Sequence, residues 1–279
     1  MRTIKASEIT AAVKNMAVDA CHYINPEMIF ALENAYKNET SDLGKIALEE
    51  LLKNAEISRA EMIPTCQDTG LAEIFVEIGQ DVKVKGGLLY DAVNQGVREG
   101  YEEGYLRKSM CDPVTRKNTG DNTPAVIHFQ MTDGDKVKIF FMAKGGGGDN
   151  MSRVNMLEPH KGVRDIKDFV IQTCLEAGAN ACPPIVVGVG IGGAFDTVAL
   201  LARRSLLNPL SRENPDNALG KMEQGILEEI NRRGLGPQGF GGKYFALGVN
   251  ILKEPCHVAT LPVAVNIDCH AHRHKSMIL

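Results

Sequence analysis

Through its first sixty residues the chain places apolar side chains at helical spacing, and from Leu71 onward it changes to short apolar runs of strand length. Ile9, Val13, Met16 and Ala20 recur behind Ser7, a candidate N-cap, and the segments after Pro26 and Ser41 repeat the pattern, so three helices are expected before residue 60. Strands begin with LAEIFVEIG. AVIHFQM and KVKIFFMA then flank Thr132-Asp133-Gly134-Asp135, and the Asp-Gly pair reads as the turn of a hairpin. Helices return at 88–103, near 164–178, 194–207 and 217–232, while KYFALGVNI and CHVATLPVAVNI are β-branched and apolar, as buried strands are. A block of helices followed by strands mixed with helices implies an α+β class, with a helical N-terminal third and then mixed sheets packed with helices, and argues against a regular βαβ repeat. The one linker-like stretch, 207–217, is too short to separate domains. A single domain over 1–279 is expected, helical over about 1–60 and mixed over about 61–279.

Composition narrows the function. A chain of 279 residues with 44% hydrophobic and 24% charged residues buries enough surface to fold without a structural metal, so a metal here would serve chemistry. The net charge of −4, without a long run of one sign, offers no field for nucleic acid or an anionic membrane. No apolar stretch approaches the roughly 18 residues of a membrane span, and the N-terminus does not read as a signal peptide, so the cytoplasm is expected. Seven cysteines, an odd number in such a chain, are expected to be reduced thiols.

Two glycine-rich segments are candidates for ligand contact. Gly188, Gly190 and Gly193 formally match a dinucleotide fingerprint, but no acidic residue closes a second strand downstream, and close strand-to-helix packing is the preferred reading. An anion on the following helix N-terminus stays open. Lys144 to Asn150, KGGGGDN, follows an apolar strand with four glycines, costly in entropy as a mere turn. It is expected to be a loop whose N–H groups approach an anion, with a flexible surface loop as the alternative. Neither this segment nor GLGPQGFGGKY at 234–244 ends as a Walker loop does.

Three polar constellations hold a cysteine each: PTCQDTG with Cys66, Gln67 and Asp68; NACPP with Cys182; and DCHAHR with Cys269. Their wide separation carries no CxxC signal, so spacing alone leaves buried thiols and a shared metal site both open. Cys21 and Cys174 lie on helical faces and read as core; Cys111 and Cys256 are ambiguous. His257 precedes a strand and reads as a structural histidine, HAHRH as a solvated tail or an adventitious metal site, and Arg107 as a surface charge or the partner of a small carboxylate.

Taken in order, PTCQDTG, LRKS, NTGDNTPA, KGGGGDN, ACPP, GPQGFGGKYFA and PVAVNIDC closely resemble the α chain of class I fumarate hydratases, the iron–sulfur hydro-lyase family that includes L-tartrate dehydratase. The resemblance spans about residue 10 to the end. It implies an iron–sulfur hydro-lyase α-type catalytic domain in which Cys66, Cys182 and Cys269 hold a 4Fe-4S cluster with one iron lacking a protein ligand. That iron would act as a Lewis acid on the C2 hydroxyl and a carboxylate of malate, without changing oxidation state. The resemblance further implies substrate contacts from Gln67, Asp68, Arg107, Gly146 of the glycine run, and Asn150, with Asp68 and His257 as a hydrogen-bonded acid–base pair.

The threonine base that removes the C3 proton in fused members has no counterpart here. A separate β subunit is therefore expected, two of each chain forming the heteromer. PQGFGGKYFA and KGGGGDNMS resemble the fumarase version, which favours fumarate and (S)-malate over L(+)-tartrate. Two other classes compete: a non-catalytic iron–sulfur sensor, which would need no Gln67-Asp68 or His257, and a nucleotide-dependent oxidoreductase built on GVGIGG.

Overall fold

The computed structural model describes residues 2–279, and the chain forms two compact units. The first comprises Met1–Asn25, Asn54–Gly145 and Arg273–Leu279. Here β1 (Arg2–Lys5) runs into α1 (Ala6–His22) and pairs in parallel with β3 (Val82–Lys85). Because the strand leads straight into the helix, Lys5 takes the N-cap position in place of Ser7, and its N–H is accepted by the Glu8 carboxylate at 3.1 Å. Helix α4 (Leu89–Glu103) packs against α1 through two glycines: a Cβ on Gly96 would lie 2.6 Å from the Thr10 carbonyl, and one on Gly100 2.9 Å from Ala17. Ile9, Val13, Val97 and Tyr101 of these helices bury against Ile74, Ile139 and Phe141 of a four-stranded sheet. Each such apolar side chain contributes about 1.5–3 kcal/mol.

The order of that sheet is β10 (His274–Ile278), β5 (Val137–Lys144), β2 (Leu71–Gly79), β4 (Val126–Thr132). The expected β4–β5 hairpin is therefore corrected: β2 lies between its two arms, parallel to β4 and antiparallel to β5. The Asp-Gly turn is real, but its carbonyls receive the end of β2. Gly79, Gln80 and Asp81 donate their N–H groups to Lys136, Thr132 and Gly134 at 2.8–3.0 Å. A bare two-residue turn brings its flanking strands together, whereas this wider one leaves room for a third.

The second unit comprises Pro26–Lys53 and Gly146–His272. It contains α2 (Pro26–Asn38), most of α3 (Asp42–Glu61), α5 (Gly146–Met151), α6 (Val163–Ala177), α7 (Thr197–Ser205) and α8 (Asn217–Arg233). Its sheet runs β6 (Arg153–Leu157), β9 (Leu261–Asp268), β7 (Ile185–Gly192), β8 (Ala246–Glu254), with only β7 and β8 parallel. Val170 and Cys174 of α6 and Ile226 and Ile230 of α8 pack on Val187, Val189 and Val265. The glycines of the GVGIGG segment serve the packing of α7: Cβ atoms on Gly188 and Gly190 would lie 2.3 and 2.4 Å from the Ala202 and Val198 carbonyls. The fold is α+β, as the pattern of elements indicated.

Candidate functional site

In the first unit, the PTCQDTG loop connects α3 to β2 and is clamped at both ends. At its start, the Thr65 N–H and hydroxyl donate to the Cys21 carbonyl at 2.9 and 3.1 Å. At its end the Tyr101 hydroxyl donates to the Thr69 carbonyl at 2.8 Å, and the buried Thr69 hydroxyl donates to the Arg107 carbonyl at 2.9 Å. Gly70 has φ +71°, and a Cβ there would stand 2.7 Å from the Lys144 carbonyl, so the exit of the loop requires glycine.

Between these clamps stand Cys66, Gln67 and Asp68. The Asp68 N–H donates to Cys66 Sγ at 3.4 Å, and the same sulfur lies 3.4 Å from Gln67 Oε1. Asp68 Oδ1 accepts the Gly70 N–H at 3.0 Å and lies 3.8 Å from Nη2 of Arg107, whose side chain is 59% exposed. Gln67, Asp68, Arg107 and the Cys66 thiol are thus assembled in one place. Sequence reasoning missed Arg273, 2% exposed, whose Nη1 donates to the Asp68 carbonyl.

In the second unit, a 3-10 turn over Gly178–Ala181 ends at Cys182, which adopts φ +53°, an uncommon conformation for a residue with a side chain. Its carbonyl accepts from the His270 N–H at 3.4 Å and lies 3.1 Å from His270 Nδ1, which joins the Cys182 and Cys269 turns. The GPQGFGGKY segment is tied to the first of these, since the Gln238 N–H donates to Pro183 at 2.8 Å. Its far end is held by Glu39, a buried carboxylate that accepts N–H bonds from Thr40, Ser41, Lys243 and Tyr244. Burial pushes the Glu39 carboxyl up, but these four backbone donors outweigh it and hold it below the usual range.

Two expectations are corrected. The KGGGGDN run is not a loop: Gly146–Met151 forms the short helix α5. Its glycines admit neighbouring backbone, a Cβ on Gly147 lying 3.1 Å from the Asn180 carbonyl and one on Gly148 only 2.4 Å from that of Ile267. Gly146 and Asn150 remain exposed, while Asp149 Oδ1 pairs with Arg203 Nη2 at 2.7 Å. HAHRH is not a solvated tail either, because His272 and Arg273 are buried and β10 follows directly. His272 meets Asp268 and the Leu206 carbonyl, and Arg273 donates from Nη1 to the Asp68 carbonyl. His257 sits in an exposed turn after β8, its Nδ1 accepting the Ala259 N–H at 3.1 Å.

The cysteines sort by burial. Desolvation pushes the Cys21 thiol up to about 11 and the Cys174 thiol further still, so both stay protonated core groups. Cys66 and Cys269 are half-buried and Cys182 is exposed, which suits thiolate ligands of iron. Among the described residues no three His, Cys, Asp or Glu side chains already converge on a metal position. The donor chemistry fits an iron–sulfur cluster. No helix is long and apolar enough to cross a membrane.

The profile of the family described as Fumarate hydratase (Fumerase) matches residues 10–278. A Methanocaldococcus jannaschii protein bearing the provisional name L(+)-tartrate dehydratase subunit alpha is 36% identical over 272 residues, covering 95% of each chain. The L(+)-tartrate dehydratase subunit alpha of Escherichia coli O157:H7 is 32% identical over 277 residues, covering 98% of this chain and 91% of that one.

Proposed function

The chain belongs to the fumarate hydratase (Fumerase) family of hydro-lyases, and from that premise we propose that it is the α subunit of a two-subunit class I enzyme interconverting fumarate and (S)-malate. The observation that carries the reading is the clamped Cys66-Gln67-Asp68 loop, where an acid–base carboxylate stands beside the exposed Arg107 guanidinium and an accessible thiol.

Cys66, Cys182 and Cys269 would hold a 4Fe-4S cluster, which when bound supplies Lewis acidity toward the hydroxyl and one carboxylate of the substrate. Arg107 then receives a substrate carboxylate in a bidentate fork, and Gln67 orients the substrate with its amide. Gly146 and Asn150, both exposed, are further contacts for the dicarboxylate. Asp68, paired with His257, delivers a proton to the departing hydroxide and takes one from water in the reverse direction. The base for the C3 proton comes from a β subunit, two copies of each chain forming the enzyme. Such an assembly would work in the cytoplasm, where thiols stay reduced.

L(+)-tartrate is a second reading, favoured by the names of the relatives. Anaerobic reconstitution with iron and sulfide, with and without the β subunit, tests both. The expected result is cluster absorbance in the α chain and fumarate hydration only in the heteromer, with malate outcompeting both tartrates. Preferential turnover of L(+)-tartrate would select the second reading, and a chain that takes up no iron would remove both.

A further inference from the structure

Arg273 is a cation at 2% exposure, where an unpaired guanidinium would be costly. Its main chain is tied to β5, the Ala143 N–H donating to the Arg273 carbonyl at 2.9 Å. Its Nη1 donates to the Asp68 carbonyl, so the guanidinium holds the peptide on which the Asp68 side chain is mounted. The other terminal nitrogen and the Asp68 carboxylate meet at Gly145. A Cβ there would lie 3.4 Å from Arg273 Nη2 and 3.3 Å from Asp68 Oδ2. Gly145 is not among the residues with positive φ, and a methyl group there would touch both side chains, the carboxylate having to give by a few tenths of an ångström. The positive charge also reaches the inner side of the loop, opposing the rise that burial imposes on the Cys21 thiol and the Tyr101 phenol.

The two arginines around Asp68 have different reach. Arg107, 59% exposed at its side chain, can meet a substrate carboxylate; Arg273 is closed off from one. We infer that Arg273 is the positioning residue for Asp68, holding the Cys66–Asp68 loop so that the carboxylate is presented past the bare α-carbon of Gly145. The inference rests on the proposed acid–base role of Asp68.

Its test uses Arg273→Met, Arg273→Lys and Gly145→Ala in the full chain. Gly145→Ala keeps every charge and places a methyl group between the two side chains, so it decides the matter if Arg273→Met does not fold. Amide hydrogen exchange across 64–71 is expected to accelerate about tenfold in Arg273→Met and by a smaller, measurable factor in Gly145→Ala, with β7 and β9 unchanged, and to return most of the way in Arg273→Lys. In the reconstituted heteromer kcat should fall roughly tenfold or more with KM little altered, because the lost placement matters in the transition state. Wild-type exchange across 64–71 in Gly145→Ala and in any folded Arg273→Met would overturn the inference, as would faster exchange with kcat intact. A wild-type heteromer with no hydro-lyase activity would instead remove the role of Asp68, while the exchange data still decide whether Arg273 holds the loop.

Discussion

His272 and Asp268 form a buried bridge across Cys269: Nδ1 of the imidazole lies 2.8 Å from Asp268 Oδ2, and its Nε2 2.9 Å from the Leu206 carbonyl. A carbonyl only accepts, so Nε2–H donates, and one proton is shared between Nδ1 and the carboxylate. The Cys269 N–H donates to Asp268 Oδ1 and the His272 N–H to the Cys269 carbonyl, both at 3.1 Å, so the turn is closed from each side. Removing one member of a buried pair is costly. His272→Ala should lower unfolding free energy by about 3 kcal/mol, measured by urea denaturation; a loss within error would mean that the bridge does not hold the turn.

Glu39 gives a stability that depends on pH with a definite sign. Its folded carboxyl titrates below its unfolded value, so the stabilisation is complete above the unfolded range near pH 4.3 and disappears as pH falls through the lower folded value. Glu39→Gln keeps one acceptor oxygen and loses the charge. Its deficit at pH 7 is expected to be about 1–3 kcal/mol and to narrow on acidification. An equal deficit at pH 3 would rule out the charged carboxylate as the cause.

Gly148 and Gly147 should respond unequally to alanine. The new methyl at 148 meets the Ile267 carbonyl at 2.4 Å, whereas at 147 its approach to the Asn180 carbonyl is 3.1 Å. Gly148→Ala is expected to cost about 1–3 kcal/mol and Gly147→Ala much less. Thermal unfolding of the two variants in parallel checks the order.

Thiol accessibility offers a test without activity. Iodoacetamide on the native apo chain should modify Cys66, Cys111, Cys182, Cys256 and Cys269 and spare Cys21 and Cys174, read by peptide mass spectrometry. After anaerobic loading with iron and sulfide, Cys66, Cys182 and Cys269 should become protected while the exposed Cys256 continues to react. Protection of a different set would reassign the ligands.

What could be read from the sequence was what local chemistry decides. Ile9, Val13 and Met16 mark the buried face of α1 because helical spacing is a property of neighbours. Gly188 and Gly190 were correctly read as packing glycines from the missing acidic partner downstream. The β4–β5 reading failed because an Asp-Gly turn does not reveal whether a third strand enters between its arms. Arg273, His272 and Glu39 escaped for a related reason. Each is charged or titratable, and partners outside the local motif help to make burial tolerable: Asp68, Leu206 and Lys243 respectively. Burial sorted the two core cysteines as their helical positions had suggested.

The edge position of β10 also sets a timetable. Its strand partner β5 is made before residues 146–272, and β10 after them, so during synthesis the first unit waits on the order of ten seconds for its outermost strand. Until then the apolar edge of β5 is open to any other extended chain. A nascent chain stalled within that interval should therefore be the form most dependent on chaperones, and a synthetic peptide of 273–279 supplied in trans should relieve it.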